Sequence, residues 1–481
     1  MSNNLRYRIV LPVASAYLYL AGSAPYLGQW DSFDYLKQIV THQFSTLGIG
    51  RPVYVGYNIL LWETIRSLFR LDLHHVEIVI MAGTVLLGVS GVVLFQRLSR
   101  MLLPSPACHM AAMAFALSPV YAIYSGTIMT EVPMLAVLLA SALSLWNPGK
   151  RHTVPGDIAG GILFGLAVGI REQALTLGAA FLWILFVRRT TRASRLRSML
   201  VFCITAGSVI LAPALIFYLY DPAGFPERIK TWFQAIPTGS YQFLDNVESS
   251  LLYVFIICPG AWFAVAIAGI YRLFVKKRPD PIDSSSPTNV IPHPLLGISC
   301  SLVLPVAVLW RDADVQTHPR YLLLVLPAAV VFCASLFRNW IPSKKLLISW
   351  AVIQVLFFGM AIAAFMPFRQ AQTEKMEFAR LMRDSIPDGS LIIAGNYSPV
   401  LDYYRGIGLQ PDWHIVWPGW NWDAESIEDK IRKSWASQIP VYLSTEPRGW
   451  SYFEREFLNL HFMLKDCKKV PIAPNLYRIY P

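Results

Sequence analysis

The chain has 481 residues, of which 55% are hydrophobic and only 15% are charged, and its formal net charge is +11. Soluble domains carry charge at about a quarter of their positions, so this composition excludes an ordinary soluble protein and indicates a membrane protein that crosses the bilayer many times. The positive charge does not indicate a nucleic-acid partner, because most Lys and Arg residues lie in short segments between apolar runs, where they orient membrane helices.

Eleven apolar runs approach the length of about 20 residues that crosses a bilayer core of about 30 Å. If the amino terminus is inside, the segments after the second, fourth, sixth, eighth and tenth runs are also inside. These segments contain the clusters of Lys and Arg, as the positive-inside bias requires. This topology predicts that the first loop, residues 27–74, and all residues after 369 lie outside. The predicted spans are 8–26, 75–96, 106–124, 131–147, 157–171, 173–188, 198–219, 250–274, 292–310, 321–337 and 345–367.

The first outer loop contains a second apolar segment, residues 52–70, which we do not count as a span. Counting it would invert every later loop. Its apolar residues recur near helical spacing, with Glu63, Arg66 and Arg70 between them. This pattern is typical of an amphipathic helix that lies in the membrane interface.

The composition changes after about residue 369. Strand-like segments alternate there with helical ones, which is the pattern of a small α/β domain. We therefore predict an α-helical polytopic membrane domain over 1–369 and a soluble α/β domain over 370–481, outside the membrane. Within the second domain the predicted helices are 374–386, 423–438 and, between them, a stretch that holds Leu401 and Tyr404. The predicted strands are 391–395, 414–417 and 440–444.

Two carboxylates follow the first span directly, in the segment Trp30-Asp31-Ser32-Phe33-Asp34-Tyr35. Charged side chains at the edge of a membrane span are expensive to place and usually mark a functional site. At this position a water-soluble acceptor could meet a head group that is carried by a lipid. Asp31 and Asp34 are therefore candidate site residues.

Further charged residues, from segments far apart in sequence, lie at the same outer depth in this topology. A carboxylate can accept the proton of a hydroxyl group, and arginines can bind a phosphate through two parallel hydrogen bonds and stabilise it as a leaving group. A mixed acidic and basic rim is what a reaction on a phosphorylated lipid requires. The rim comprises Asp31, Asp34, Arg51, Glu131, Arg171, Glu172, Arg311, Asp312, Asp314, His318 and Arg320.

Each rim residue also has a simpler interpretation. The two aspartates could only mark the end of a span, and Glu131 could only stabilise a helix amino terminus. Arg171 and Glu172 could form a solvated ion pair in a tight turn, and Arg320 could be an interfacial anchor. If all of these interpretations were correct, unrelated charged residues would lie on the outer face of the membrane by coincidence.

Four short segments resemble the motifs of one superfamily. Through these segments the chain resembles the GT-C superfamily of polytopic glycosyltransferases, in particular the branch of protein O-mannosyltransferases and lipid A aminoarabinose transferases. The chain departs from the family at Ser32, where a second acid often follows the first, and at Pro52, which stands where two prolines are usual. The segments are Asp31 with Tyr35, Arg51-Pro52-Val53-Tyr54, the stretch Tyr124 to Met134 that carries Glu131, and Arg320-Tyr321-Leu322-Leu323 with Pro327.

The resemblance implies transfer of a sugar, with inversion, from a polyprenyl-phosphate donor to an acceptor hydroxyl on the outer face. Asp31 would be the general base, Asp34 could replace the missing second acid, and Glu131 would orient the donor or the acceptor. The donor phosphate would be bound by arginines, namely Arg171, Arg320 and Arg51.

The resemblance also implies partners and a location. The partners would be the polyprenyl-phosphate sugar lipid, an acceptor that is a glycan, a lipid or a protein, and the surrounding membrane lipids. The site would face outward from a plasma or inner membrane. Members of this branch commonly work without a metal, so no cofactor is expected. Related oligosaccharyltransferases use a divalent ion held by similar acids, here Asp31 and Glu131, so a metal stays open.

Three other functions stay open. A secondary transporter would favour inverted repeats and helices broken at mid-span, whereas the acids here lie at the outer edge. A membrane subunit without activity would use the rim charges only to organise its loops. A lipid-linked polymer ligase would use the same kind of donor lipid.

Overall fold

The computed structural model describes residues 3–24, 30–44, 51–146, 154–188, 191–234, 319–335, 344–416, 424–450 and 454–481. Two predicted spans, 250–274 and 292–310, lie outside these ranges, as do four of the predicted rim residues, Arg311, Asp312, Asp314 and His318.

The described part of the chain is helical up to residue 385. Apart from the α-helices, three short 3₁₀ segments occur at Leu73–His75, Glu172–Leu177 and Pro319–Leu324. The helices are α1 (Asn3–Ala21), α2 (Trp30–Thr41), α3 (Pro52–Phe69), α4 (Val76–Leu102), α5 (Ala107–Ala116), α6 (Pro119–Ser125), α7 (Glu131–Leu145), α8 (Val154–Ile170), α9 (Gly178–Arg188), α10 (Arg192–Tyr220), α11 (Phe225–Gln234), α12 (Leu326–Ser335) and α13 (Lys344–Ser385).

Three of the described helical segments are long and apolar enough to cross a membrane: Leu73–Leu102, Arg192–Tyr220 and Lys345–Ala363. The pair α5 and α6, bent by 53°, adds a fourth if it is one span. Other apolar helices among the described residues, such as α7 and α8, have only 10–17 residues. The prediction of a helical membrane protein is therefore supported, but the predicted count of eleven spans is not confirmed.

Contacts between residues divide the chain into two units. The first comprises residues 1–24, 46–57 and 81–364. Within it, α8 approaches α10 closely at Gly165, where a Cβ atom would lie 2.7 Å from the Cβ of Val209. Small residues at such positions let helix backbones pack against each other in a membrane.

The second unit comprises residues 25–45, 58–80 and 365–481. Its carboxy-terminal part contains a five-stranded sheet in the order β2-β1-β3-β5-β4. The strands are β1 (Leu391–Ile393), β2 (His414–Val416), β3 (Val441–Ser444), β4 (Lys468–Ala473) and β5 (Leu476–Tyr480), and the helices are α14 (Ser398–Gly406), α15 (Ala424–Ala436), α16 (Pro447–Trp450) and α17 (Glu454–Met463).

Strand β1 pairs in parallel with both β2 and β3, so the connections that contain α14 and α15 are crossovers of the kind parallel strands require. Residue Ile392 is paired with Ile415 on one side and with Tyr442 on the other. The antiparallel hairpin of β4 and β5 completes the sheet at one edge. The buried core beneath it includes Ile393, Val416, Ile427, Ile431, Val441, Leu443 and Ile479.

The helix predicted over 52–70 is present as α3, with Tyr54 and Trp62 buried and Leu60 and Leu68 exposed. In the carboxy-terminal segment, β1, β2 and β3 lie within the three predicted strands. Several features were not predicted, among them helices α11 and α17. Helix α2 lies inside the first loop, and the hairpin of β4 and β5 was missed.

Candidate functional site

Three buried charges of the first unit come from separate segments. Glu131 begins α7, and Arg320 lies in the 3₁₀ segment Pro319–Leu324. Arg171 follows α8 with an extended backbone (φ −157°, ψ 121°), at the break between that helix and the next 3₁₀ segment. These three side chains, separated by up to 189 positions in sequence, meet in one group.

One carboxylate oxygen joins the two arginines. Glu131 Oε1 lies 2.7 Å from Arg171 Nη1 and 3.2 Å from Arg320 Nε. Arg171 also donates to the hydroxyl of Thr130 at 2.7 Å and to the side-chain oxygen of Gln173 at 2.8 Å. Glu131 and Arg171 are 1% exposed and Arg320 is 4% exposed, so the group is almost fully removed from solvent.

This geometry overturns two of the simpler interpretations. Arg171 does not form a solvated pair with Glu172, because it is buried and its ionic partner is Glu131. Arg320 is likewise buried in an ion pair, which an interfacial anchor would not require. Because ion pairs are costly to bury unless their geometry is good, stability alone is a weak reason to maintain this group.

A second, more open pair lies in the same unit. The Nε atom of Arg51 is 3.7 Å from the Oε2 atom of Glu172, and both side chains are partly exposed. Arg51 also interacts favourably with the charge of Glu131. The Glu131 cluster, which we define as Arg51, Arg171, Arg320, Glu131 and Glu172, thus contains three cations and two anions. Its one net positive charge suits it to an anionic ligand.

The acidic residues of the first loop lie in the second unit, on α2. Asp31 and Asp34 are three residues apart and therefore share one face of this helix. Gln38 donates to Asp34 Oδ2 at 2.7 Å. Burial, and then the charge of Asp31, raise the pKa of Asp34 to about 6. A carboxyl group that ionises near neutral pH is suited to proton transfer.

The raised pKa of Asp34 predicts how stability depends on pH. The carboxyl group binds its proton up to about pH 6 in the folded chain but only to about pH 3.8 when unfolded. Stability should therefore fall as the pH rises from 3.8 through 6, because the folded state must give up a proton it prefers to keep. We expect Asp34→Asn to show a smaller loss of thermal stability than the wild type between pH 4 and pH 7.

Thermal unfolding in detergent over this pH range measures the effect. The matched control is Asp412→Asn, which removes an exposed carboxylate from the same unit. If the pH dependence of the Asp34 variant equals that of the wild type, Asp34 does not have a raised pKa in the folded chain.

The residues described by the structure contain no group of three or more His, Cys, Asp or Glu side chains placed to hold a metal ion. The possible divalent ion at Asp31 and Glu131 stays a prediction.

Several residues of these groups were not predicted. Thr130 and Gln173 were missed, although each is adjacent in sequence to a predicted site residue. Lys37 and Asp402 were also missed; they form an ion pair that links α2 to α14. A lysine in the turn that follows two acids was the available signal for Lys37, whereas nothing in the sequence linked it to Asp402.

The fold described above, helices of a membrane protein with a small carboxy-terminal sheet, occurs in solved structures. ArnT from Cupriavidus metallidurans bound to undecaprenyl phosphate matches with a TM-score of 0.60 and 14% identity, over 98% of this chain and 97% of that chain. The oligosaccharyltransferase AglB from Archaeoglobus fulgidus, in complex with an inhibitory peptide and a dolichol-phosphate, matches with a TM-score of 0.50 and 11% identity, over 100% and 75%.

A further structure of the Archaeoglobus fulgidus oligosaccharyltransferase, tethered to an acceptor peptide, has a TM-score of 0.52 and 12% identity, over 91% of this chain and 69% of that chain. No protein-family model and no curated protein matches the sequence. The chain has the fold that ArnT and AglB share. The resemblance that its short motifs indicated is thus confirmed for the fold.

Proposed function

We propose that the chain is an integral membrane glycosyltransferase that moves a sugar from a polyprenyl-phosphate donor to an acceptor hydroxyl. The observation that carries this proposal is the burial of Arg171 and Arg320 around the single carboxylate of Glu131. Two guanidinium groups held in fixed positions are suited to binding a phosphate and stabilising its charge as it leaves. Structural neighbours that bind undecaprenyl phosphate or a dolichol-phosphate support a lipid of this class.

In the proposed reaction, the oxygen of the acceptor hydroxyl attacks the anomeric carbon of the donor sugar. The new carbon–oxygen bond forms as the bond from that carbon to the phosphate oxygen breaks, so the configuration inverts. Asp31 accepts the hydroxyl proton, and the polyprenyl phosphate leaves with its charge stabilised by Arg171 and Arg320. Arg51 assists in binding the phosphate, and Glu131 orients the arginines.

Identification of the donor tests the proposal directly. The lipids bound to the detergent-purified full-length chain are extracted and identified by mass spectrometry. We expect polyprenyl-phosphate sugars, and incubation with the polyprenyl lipid fraction of the host membranes should release polyprenyl phosphate. A polymer on the bound lipid would instead favour the polymer ligase. Absence of any polyprenyl phosphate lipid, both as extracted and after its addition, would contradict the proposal.

Replacement of either buried arginine by lysine should weaken the reaction. Lysine keeps the charge but loses the planar pair of donors. We expect Arg320→Lys and Arg171→Lys to reduce donor binding or turnover about tenfold or more, which is about 1.4 kcal/mol. The measurement is polyprenyl phosphate release together with donor binding.

The matched control is Arg66→Lys, at an exposed arginine whose partner Glu63 lies 3.7 Å away on the same helix. This variant should behave as the wild type. Unchanged kinetics in both Arg171→Lys and Arg320→Lys would remove the phosphate-binding role.

We further propose that the reaction takes place on the extracytoplasmic side of the plasma or inner membrane, where the carboxy-terminal segment also lies. The distribution of basic residues in the sequence supports this orientation. In a cysteine-free background, His74→Cys and Lys430→Cys should react with a membrane-impermeant reagent added from outside. Arg192→Cys should react only after the membrane is opened. Labelling of positions 192 and 430 from the same side would contradict the topology.

A further inference from the structure

The carboxy-terminal helix α14 packs directly on the acidic helix α2, and both helices belong to the second unit. The rings of Phe33 and Tyr403 lie 6.0 Å apart across this contact. At Gly406 a Cβ atom would lie only 3.3 Å from the methyl carbon of Thr41. The missing side chain at position 406 therefore lets the two helices approach closely.

A buried carboxylate lies in this contact. Asp402 on α14 is 1% exposed, and its two oxygens pair with Lys37 of α2 and with Arg405 of its own helix. Arg405 also donates to the backbone oxygen of Trp413, 3.2 Å away, just before β2. The ionic contact thus connects α2 to the sheet through α14.

Because Asp402 is buried, its ion pair with Lys37 restricts the rotation of α2. A buried charge that loses one of its partners destabilises the fold strongly, so a rotation of α2 that withdrew Lys37 from Asp402 is unfavourable. Lys37 follows Asp34 by three residues and is therefore its neighbour on the helix surface. Three charged groups act on Asp34: those of Asp31, Lys37 and Asp402.

We propose that Asp402 is a positioning residue for sugar transfer, because it holds Lys37 and thereby fixes the face of α2 that carries Asp31 and Asp34. The inference rests on the proposed function, since it gives the carboxy-terminal segment a part in that reaction. Asp402 touches no reacting atom. It acts through Lys37, on the orientation and the charge environment of the acidic pair.

Two charge-removing variants should act on that pair in opposite directions. Asp402→Asn removes an anion that raises the pKa of Asp34, while the ammonium of Lys37 remains beside Asp34. The carboxyl group of Asp34 should therefore ionise at lower pH. Lys37→Gln removes the cation, so the carboxyl should ionise at higher pH. A purely structural weakening of the contact would not reverse the sign between the two variants. Lys37→Arg keeps the positive charge, so the carboxyl should ionise at a pH close to that of the wild type.

The test uses the full-length purified chain and a hydrophobic carbodiimide, which modifies protonated carboxyl groups. Modification of the peptide that contains Asp31 and Asp34 is followed by mass spectrometry as a function of pH. We expect the midpoints of Asp402→Asn and Lys37→Gln to shift in opposite directions, each by about 0.5 pH unit or more. The control is Asp429→Asn, which breaks the exposed pair with Lys433 elsewhere in the same unit.

The release of polyprenyl phosphate from the host polyprenyl lipid fraction is measured over the same pH range, and its acidic limb should shift with each midpoint. Midpoints that do not move, or that move in the same direction, overturn the inference even if the wild type transfers sugar. A wild type that releases nothing overturns the proposed function instead, whatever the midpoints do. If Asp402→Asn does not fold, the comparison of Lys37→Gln with Lys37→Arg decides.

Discussion

Asp31→Asn is expected to slow sugar transfer at least about a hundredfold, because loss of a general base typically costs about 10² to 10⁴ in rate. Asparagine is nearly isosteric with aspartate, so α2 should keep its packing, but the oxygen that accepts the proton is lost. The variant should therefore fold and still bind the polyprenyl lipid. Single-turnover release of polyprenyl phosphate measures the rate, and retention of the lipid on the purified protein measures binding.

Asp34→Asn is the comparison for this experiment and should slow transfer less, since Asp31 holds the position of the acid in the motif that the chain resembles. If Asp34→Asn abolishes transfer while Asp31→Asn is active, the two roles are exchanged, and the raised pKa of Asp34 provides the reason. If neither change affects transfer, α2 does not supply the base and the proposed mechanism is wrong.

Glu131→Gln is expected to destabilise the first unit by about 3 to 5 kcal/mol, the usual result when one partner of a buried ion pair is removed. Both arginines would lose their shared carboxylate while staying 1% and 4% exposed. Transfer should fall with the stability, because the arginines would no longer be held in place for the phosphate. Thermal unfolding in detergent and polyprenyl phosphate release measure the two effects.

The stability control for Glu131→Gln is Glu172→Gln. This side chain is partly exposed and lies 3.7 Å from Arg51, so its removal should cost no more than about 1 kcal/mol. A double variant, Glu131→Gln with Arg171→Gln, should lose less stability than the two single variants combined, because it removes both charges of one pair. Equal effects of Glu131→Gln and Glu172→Gln on stability would show that the buried pairing is not maintained.

The sequence could single out the buried charges as candidate site residues because charge is rare in its apolar parts. Glu131, Arg171 and Arg320 each stand at the end of an apolar run, and that position marked them as candidates. Their pairing could not be predicted. Sequence adjacency suggested that Arg171 pairs with Glu172, whereas the extended backbone at Arg171 puts its guanidinium beside a carboxylate 40 residues earlier.

The secondary structure was predictable where the residue pattern was typical of one element type. The three parallel strands lie in short runs of β-branched and apolar residues, and α15 has a repeating charge pattern. The hairpin was missed because β4 contains Lys468, Lys469 and Pro471, which are unusual in strands. The sequence signal for this hairpin was Asn475, a residue type common in tight turns. In the structure Asn475 has a positive φ of 59°. Helix α2 has only 12 residues, and its carboxylates favoured a loop.

The composition of the Glu131 cluster has a consequence for turnover under the proposed function. The donor is a phosphodiester with one negative charge, whereas the spent lipid is a phosphate monoester with a charge of about −1.5 to −2 near neutral pH. The cluster, with its three arginines and two glutamates, attracts the more negative species more strongly. Under the proposed function, the spent lipid should therefore compete with its own precursor for this cluster.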